Sequence, residues 1–322
     1  MSDPLVIGGA GFIGSHLTRR LLGQEGAVTV FDNFSSGREW HLESVASNPR
    51  LRTVRGDVKD LDALADAARR QRTAFLLASN PDIARAATEP AIDFWEGTYL
   101  VQNTLEACRL AGVERLVYAS GSGVYGDQGA HELDESFGPL LPVSTYGASK
   151  LAGEALISAY CHLFGLRAVA FRFANVVGPR QTHGVVYDFV RKLLHDPTRL
   201  EVLGDGRQSK SYIHVDDVLD AVLMLAADPP EPFDVFNAAT DDYVTVREIA
   251  AIEIGAMGLD GVDVAFGETP GGWKGDVPIV RFSSAKLRAR GWRNSRTSAE
   301  ALADSARAIL AEAQAEREAA PR

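Results

Sequence analysis

Short apolar stretches that leave little polar face recur through the first half of the chain: Leu5–Ile7, Val28–Phe31, Leu51–Val54, Ala74–Ala78, Arg115–Ala119 and Ala168–Phe173. Stretches apolar toward both sides suit strands buried between two layers, as in a parallel sheet. Between them, hydrophobic positions repeat at helical spacing over about 12–23, 60–70, 91–111 and 145–164. Strand–helix alternation of this length predicts an α/β protein with a doubly wound Rossmann parallel sheet. After Arg172 the rhythm changes. A helix is expected near 184–195, a short strand at Glu201–Leu203 and a turn at Gly204-Asp205-Gly206. The chain then returns to the first domain through Val215–Ala227 and Val235-Phe236-Asn237, and a last α/β stretch occupies about 243–315. The expected division is a Rossmann domain at 1–172 plus about 211–238, with a smaller interleaved C-terminal lobe at 173–210 and 239–322.

Of the 322 residues, 46% are apolar, enough for a full core and a second lobe. A net charge of −10 disfavours nucleic acid and anionic membrane as partners, so an anionic substrate would need cations gathered locally. Two cysteines without metal-ligand spacing, Cys108 and Cys161, point to a reducing compartment and to buried thiols. No apolar run reaches the roughly 18 residues of a membrane span. The N-terminus enters a strand directly, without a signal-peptide pattern, and the cytoplasm is the expected location.

Gly8-Gly9-Ala10-Gly11-Phe12-Ile13-Gly14 joins the first predicted strand to the first helix. Gly8 and Gly11 let the backbone turn and approach a pyrophosphate, and Gly14 lets helix and sheet pack closely. The helix start at Phe12 and Ile13 offers free N–H groups and a positive dipole to the phosphates. Asp32 closes the second strand 18 residues after Gly14. A carboxylate there accepts both adenosine-ribose hydroxyls and repels a 2′-phosphate, which favours NAD over NADP. Asn33, Ser35 and Ser36 line the same ribose, Asp57-Val58 meet the adenine, and Leu77-Ala78-Ser79 with Phe173 complete the expected cofactor contacts.

Tyr146-Gly147-Ala148-Ser149-Lys150 opens a long predicted helix. A spacing of four places both side chains on one face, one turn apart. A phenol has an ordinary pKa near 10, too high for a base at neutral pH. A neighbouring ammonium and the charge of a nicotinamide would stabilise the phenolate.

With both motifs present, the chain resembles the extended short-chain dehydrogenase/reductases of the nucleotide-sugar epimerase/dehydratase group, nearest to UDP-glucose and UDP-glucuronate 4-epimerases. The likeness runs over about 4–293 and is carried also by Leu116–Ser120 with Val124-Tyr125-Gly126, Arg172–Arg180, Gly204-Asp205-Gly206 and Tyr212–Val218. It implies tightly held NAD, a C-terminal lobe for a nucleoside diphosphate sugar, and a homodimer through the helices at 91–111 and 145–164. Relatives that dehydrate carry an Asp-Glu pair after the fifth strand, and those that decarboxylate carry a Glu. Here Ser120-Gly121-Ser122-Gly123-Val124-Tyr125 has hydroxyls and no carboxylate. That suits a UDP-hexose 4-epimerase acting by C4 oxidation, rotation of the 4-keto sugar and re-reduction, with Tyr146 as base. Two departures stand out. Gly121 occupies the position of the usual Ser/Thr, so Ser122, or else Ser120, is expected to supply the hydroxyl. Gly97 stands where relatives often have Asn.

By the same resemblance Asn175, Val202, Lys210 and Asp276 contact the nucleotide sugar, with Lys274 supplying a cation because Trp273 replaces the usual Arg. Arg180 and Arg191 raise the possibility of a uronate, whose C6 carboxylate a guanidinium binds bidentately. The competing readings are an NAD(P)H-dependent keto-sugar reductase and a non-catalytic NAD-sensing protein.

Overall fold

Seven strands form the central sheet, in the spatial order Phe233–Ala238, Arg167–Phe173, β5 (Arg115–Gly121), β4 (Thr73–Leu76), β1 (Leu5–Ile7), β2 (Val28–Asp32), β3 (Leu51–Arg55). The pairings β3–β2, β2–β1, β1–β4, β4–β5 and β5 with Arg167–Phe173 are all parallel. The order reverses direction between β1 and β4, which leaves a crevice beyond their carboxyl ends, the usual ligand position in such sheets. The computed structural model describes residues 3–24, 26–229, 232–269, 271–272 and 275–319.

Two compact units make up the chain. The first comprises Met1–Gly126, Glu135–Phe173 and Leu219–Phe236; the second comprises Asp127–Asp134, Ala174–Val218 and Asn237–Arg322. In the first, helices α1 (Phe12–Leu22), α2 (Leu61–Ala68), α3 (Tyr99–Ala111) and α4 (Thr145–Phe164) flank the sheet. Leu5, Ile7, Phe31, Leu76, Leu105, Leu116 and Tyr118 are buried together in one core. Each such side chain contributes about 1.5–3 kcal/mol on burial. Cys108 and Cys161 are buried free thiols, pushed up by burial to about 12 and about 11, so neither is a reactive nucleophile at neutral pH.

The second unit has its own core. Helices α5 (Val185–His195), α7 (Val246–Ala256) and Ser298–Ala319 enclose Val186, Phe189, Val190, Ile249, Leu302 and Ile309; a further helix, α6 (Val215–Ala227), precedes α7. Short parallel pairs join Asn175–Val177 to Tyr212–His214 and Arg199–Val202 to Asp263–Phe266. A capping box between Thr245 and Glu248 starts α7.

Several element boundaries differ from the sequence-based expectation, three of them near the site. β4 stops at Leu76 and not at Ala78, because the Leu77 and Ala78 N–H groups both turn to the Ile7 carbonyl, at 2.9 and 3.1 Å. β5 runs on to Gly121 in register with Phe173. The expected helix at 91–111 is divided: Phe94–Thr98 winds as a π turn before α3 begins at Tyr99.

Candidate active site

The glycine loop is built as its spacing predicts. Gly8 has φ +82°, and a Cβ on it would lie 2.6 Å from the Ala78 nitrogen. A Cβ on Gly14 would lie 2.1 Å from the Gly8 carbonyl oxygen, so only glycine lets α1 start this close to β1. Gly11 is the N-cap of α1, and no side chain caps the helix or places an acid in its first turn. The amides at Phe12 and Ile13 are therefore open to an anion. This cradle fits a dinucleotide pyrophosphate.

At the end of β2 the Asp32 carboxylate accepts from the Ala10 N–H and the Phe34 N–H, each at 2.8 Å. Two backbone donors leave further lone pairs for ribose hydroxyls. Burial raises its pKa, and the same two bonds oppose the rise. Asn33 donates to Asp57 at 3.3 Å and accepts from the Ser35 N–H at 3.0 Å, so the ribose-side residues form one local cluster. Ser36 lies half-buried in the same loop. Burial would raise the Asp57 carboxyl, but hydrogen bonds from Lys59 and Asn33 and the Lys59 charge together bring it below the usual range. Val58 is buried beside it.

Helix α4 carries the candidate pair, Tyr146 and Lys150. The Ser144 side chain accepts from the Gly147 N–H at 3.1 Å and caps the helix, a contact worth about 1 kcal/mol. Gly147 packs on the turn Ser122–Tyr125 so closely that a Cβ would lie 2.3 Å from the Gly123 carbonyl oxygen. That contact sets the Ser122 turn against Tyr146. Lys150 is buried and its Nζ donates to the Ala119 carbonyl at 2.7 Å, with the ammonium 5.4 Å from the Tyr146 ring centre.

Without a cofactor charge beside it, the Tyr146 phenol lies above its ordinary range. Burial pushes it up to about 12, the Asp93 charge adds to the rise, and the nearby Ser79 hydroxyl opposes it. Burial lowers Lys150 to about 8, against the charges of Asp93 and Glu154. A working phenolate thus needs a further positive charge beside it, of the kind an oxidised nicotinamide carries. Although Ser79 is near enough to act on Tyr146, its buried hydroxyl oxygen has no well-formed hydrogen bond among the described residues, which fits a cofactor contact.

The two serine candidates separate cleanly. Ser120 is buried, and its hydroxyl donates to Glu154 Oε1 at 2.6 Å; Glu154 also pairs with Arg172 at 3.0 and 2.7 Å. Burial lowers the Arg172 pKa, but Glu154 outweighs it and the net shift is upward. The Ser120 hydroxyl, the alternative to Ser122 for the missing Gly121 hydroxyl, is thus engaged in a buried network. Ser122 is half-exposed and makes no hydrogen bond to another described residue. Gly121, between them, has extended backbone and open space where a Cβ would point. Ser122→Ala is expected to lower kcat about tenfold with unchanged Tm, whereas Ser120→Ala should cost roughly 1.5–3 kcal/mol of stability, read by thermal melts. Gly97, the other departure, abuts Ser149: a Cβ would lie 2.6 Å from its Oγ, so a larger side chain there needs Ser149 to move.

In the second unit, Lys210 donates to Asp276 at 2.6 Å, and Asp276 also accepts from the Gly272 N–H at 3.2 Å. These two residues of the expected nucleotide contacts are held together. Asn175 is exposed at the head of its strand and Val202 is buried at the end of its own. Lys274 lies outside the described residues. Arg180 adopts a left-handed backbone, φ +65°, and its N–H donates to the Glu312 carboxylate at 2.9 and 3.1 Å. Arg191 is 51% exposed on α5 and faces Glu316 at 3.8 Å on the C-terminal helix.

Sequence reasoning passed over Asp93, Asn80, Glu154 and Arg172 as site-supporting groups. One signal was available for Asp93. It falls on the same helical stripe as Gly97, Leu100, Thr104 and Cys108, all buried, where an acid needs partners.

With this geometry in view, similarities to known proteins bear on the chain as a whole. A family model described as the NAD dependent epimerase/dehydratase family matches residues 4–239. A UDP-glucose 4-epimerase of Mycolicibacterium smegmatis is 36% identical over 260 residues, covering 79% of this chain and 82% of the relative. The solved structure of a UDP-galactose 4-epimerase superposes with TM-score 0.86 at 38% identity, covering 96% of this chain and 99% of that one. That of the Thermus thermophilus UDP-glucose 4-epimerase, a complex with NAD, gives 0.85 at 31% identity, covering 95% and 98%. The dinucleotide cradle, the Tyr146–Lys150 pair and these similarities agree, and the chain belongs to the NAD-dependent epimerase/dehydratase family.

Proposed function

We propose that this enzyme is a UDP-hexose 4-epimerase that uses Tyr146 as its single acid–base group. The observation that carries the reading is the composition of the turn beside Tyr146: residues 120–126 offer hydroxyls and no carboxylate. The nearby acid, Asp93, is 1% exposed and both its oxygens are engaged, so it cannot exchange a proton with a sugar. Removal of water from a sugar needs a second acid–base group; inversion at C4 does not.

When bound, oxidised NAD supplies the acceptor for the C4 hydrogen and the positive charge that favours the phenolate. Tyr146 takes the proton of the sugar 4-OH and gives it back to the epimeric alkoxide. Lys150, anchored on the Ala119 carbonyl, holds positive charge on the helix face of Tyr146. Ser122 orients the 4-OH. Asn175, Lys210 and Asp276 are assigned to the nucleoside diphosphate. Purified protein incubated with a panel of UDP-sugars, uronates included, is expected to form C4 epimers by NMR with no added NAD and no net change at 340 nm. A requirement for stoichiometric NAD(H), or a 4-keto-6-deoxy product, would overturn the reading.

A homodimer through α3 and α4 is proposed with it. Leu110, Leu163 and Phe164 are exposed at the ends of these helices, Leu163 by 72%, a pattern that marks an association surface more often than a solvated one. The protein should run near twice 34.7 kDa in light scattering, and Leu163→Glu combined with Phe164→Glu should return the monomer mass. Among the described residues no helix is long and apolar enough to cross a membrane.

A further inference from the structure

We infer that Asp93 is a positioning residue of the active site: its buried carboxylate clamps the first turn of α4, next to Tyr146, to the loop after β4. The inference rests on the epimerase reading above and adds to it a group outside the Tyr–Lys pair.

Three observations carry it. Asp93 is 1% exposed, in the turn just before the π turn Phe94–Thr98. Its Oδ2 accepts from the Thr145 hydroxyl at 2.7 Å, and Thr145 is the first residue of α4, adjacent to Tyr146. Its Oδ1 accepts from Asn80 Nδ2 at 2.8 Å, and Asn80 follows Ser79 in the loop leaving β4. Asn80 is itself fixed: its N–H donates to the Glu96 carbonyl at 3.1 Å, and its side chain bonds both the N–H and the carbonyl of Asp82, at 3.0 Å each. One buried carboxylate therefore ties the Tyr146 helix to the loop that presents Ser79.

Among the described residues, no cation lies within ion-pair reach of Asp93; both partners are neutral donors. A buried carboxylate without a counter-ion is costly unless its field is used, and it acts on the ionisable groups around it. Those groups are few. Tyr146 and Lys150 face it from α4, and both respond to its charge in the upward direction. Tyr118 of β5 stacks under Lys150, 5.2 Å from its Nζ, and is itself raised by burial and by Tyr146 and Glu154. Glu154 on α4 is ion-paired with Arg172, and its charge acts on Lys150 in the same upward direction as that of Asp93. Glu96, on the same segment as Asp93, is paired with Lys59. A negative charge disfavours phenolate and favours ammonium, so Asp93 keeps Lys150 charged into the mildly alkaline range while making Tyr146 a stronger base once ionised. Both limbs of the pH profile are thereby moved upward together.

Asp93→Asn keeps the shape and an acceptor for Thr145 but removes the charge. In the NAD-loaded enzyme, both limbs of the kcat profile should move to lower pH, by about one unit each. Thr145→Val keeps the charge and cuts the clamp; it should lower kcat severalfold with both limbs in place, which also tests the positioning role should the Asn variant fail to fold. A third readout needs no turnover. The tyrosinate absorbance near 295 nm, taken as the difference between each protein and its Tyr146→Phe counterpart, should titrate lower in Asp93→Asn than in the parent. If the limbs and this titration stay where they are while only kcat or Tm falls, Asp93 is merely structural and the inference is wrong. If the titration shifts but no UDP-sugar is epimerised, Asp93 acts as inferred and the epimerase assignment is at fault.

Discussion

Tyr146→Phe is expected to lower kcat on the order of 10³-fold while dinucleotide retention and Tm stay near the parent values. Three features make the effect large and specific. Among the described residues the other groups at the Ser122 turn are poorly placed to exchange the 4-OH proton: residues 120–126 contain no carboxylate, Tyr125 is fully buried, Ser120 is bonded to Glu154, and the Lys150 ammonium is directed to the Ala119 carbonyl. The phenol oxygen is not a structural keystone, since the cap and the glycine contacts of α4 come from Ser144 and Gly147. The cofactor cradle lies on β1, α1 and β2 and does not depend on this hydroxyl. Retained dinucleotide without turnover separates loss of chemistry from loss of binding. Parent-like turnover in Tyr146→Phe would remove the base from the account.

Arg172→Met is the second large effect, and it falls on stability. Arg172 and Glu154 form a bidentate ion pair whose side chains are 4% and 6% exposed, with the guanidinium 4.7 Å over the Tyr125 ring. Removing one partner of a buried pair leaves the other charge uncompensated, at a cost of about 3–5 kcal/mol. For a chain of this size that corresponds to a fall in Tm of roughly 4–7 °C in calorimetry. Part of the loss should be regained by Arg172→Met combined with Glu154→Leu, because the stranded carboxylate is then gone. Ser120 would lose its acceptor in that double variant, so activity should return less completely than stability. A single variant as stable as the parent would show that the pair contributes nothing net.

Most of the sheet and the dinucleotide loop were legible in the sequence because they depend on neighbours in the chain. A strand apolar on both sides, a glycine where φ must be positive, and a Tyr and Lys one helical turn apart are local facts, and the structure has them at Leu5–Ile7, Gly8 and α4. What was not legible depends on contacts far apart in sequence. Ser120 and Ser122 look alike as residues, yet one hydroxyl donates to Glu154 34 positions away and the other has no side-chain hydrogen bond among the described residues. Nothing around Arg191 in the sequence shows that it faces Glu316, 125 positions away on the C-terminal helix. Burial and the Asp93 charge, which both act on Tyr146 in the folded protein, leave no mark in the Tyr146–Lys150 spacing. Asp93 itself bonds to residues 13 and 52 positions away, on two other segments, and no spacing rule predicts such a junction.

The central claim is that hydrogen leaves C4 of the sugar and comes back to the same carbon within one enzyme-held cycle governed by Tyr146. It is tested most directly with UDP-galactose deuterated at C4, incubated with the purified protein in ordinary water without added dinucleotide. The account predicts that both epimers keep the label at C4 at equilibrium, as read by mass spectrometry and NMR. Epimerised product whose deuterium has washed into the solvent would contradict it.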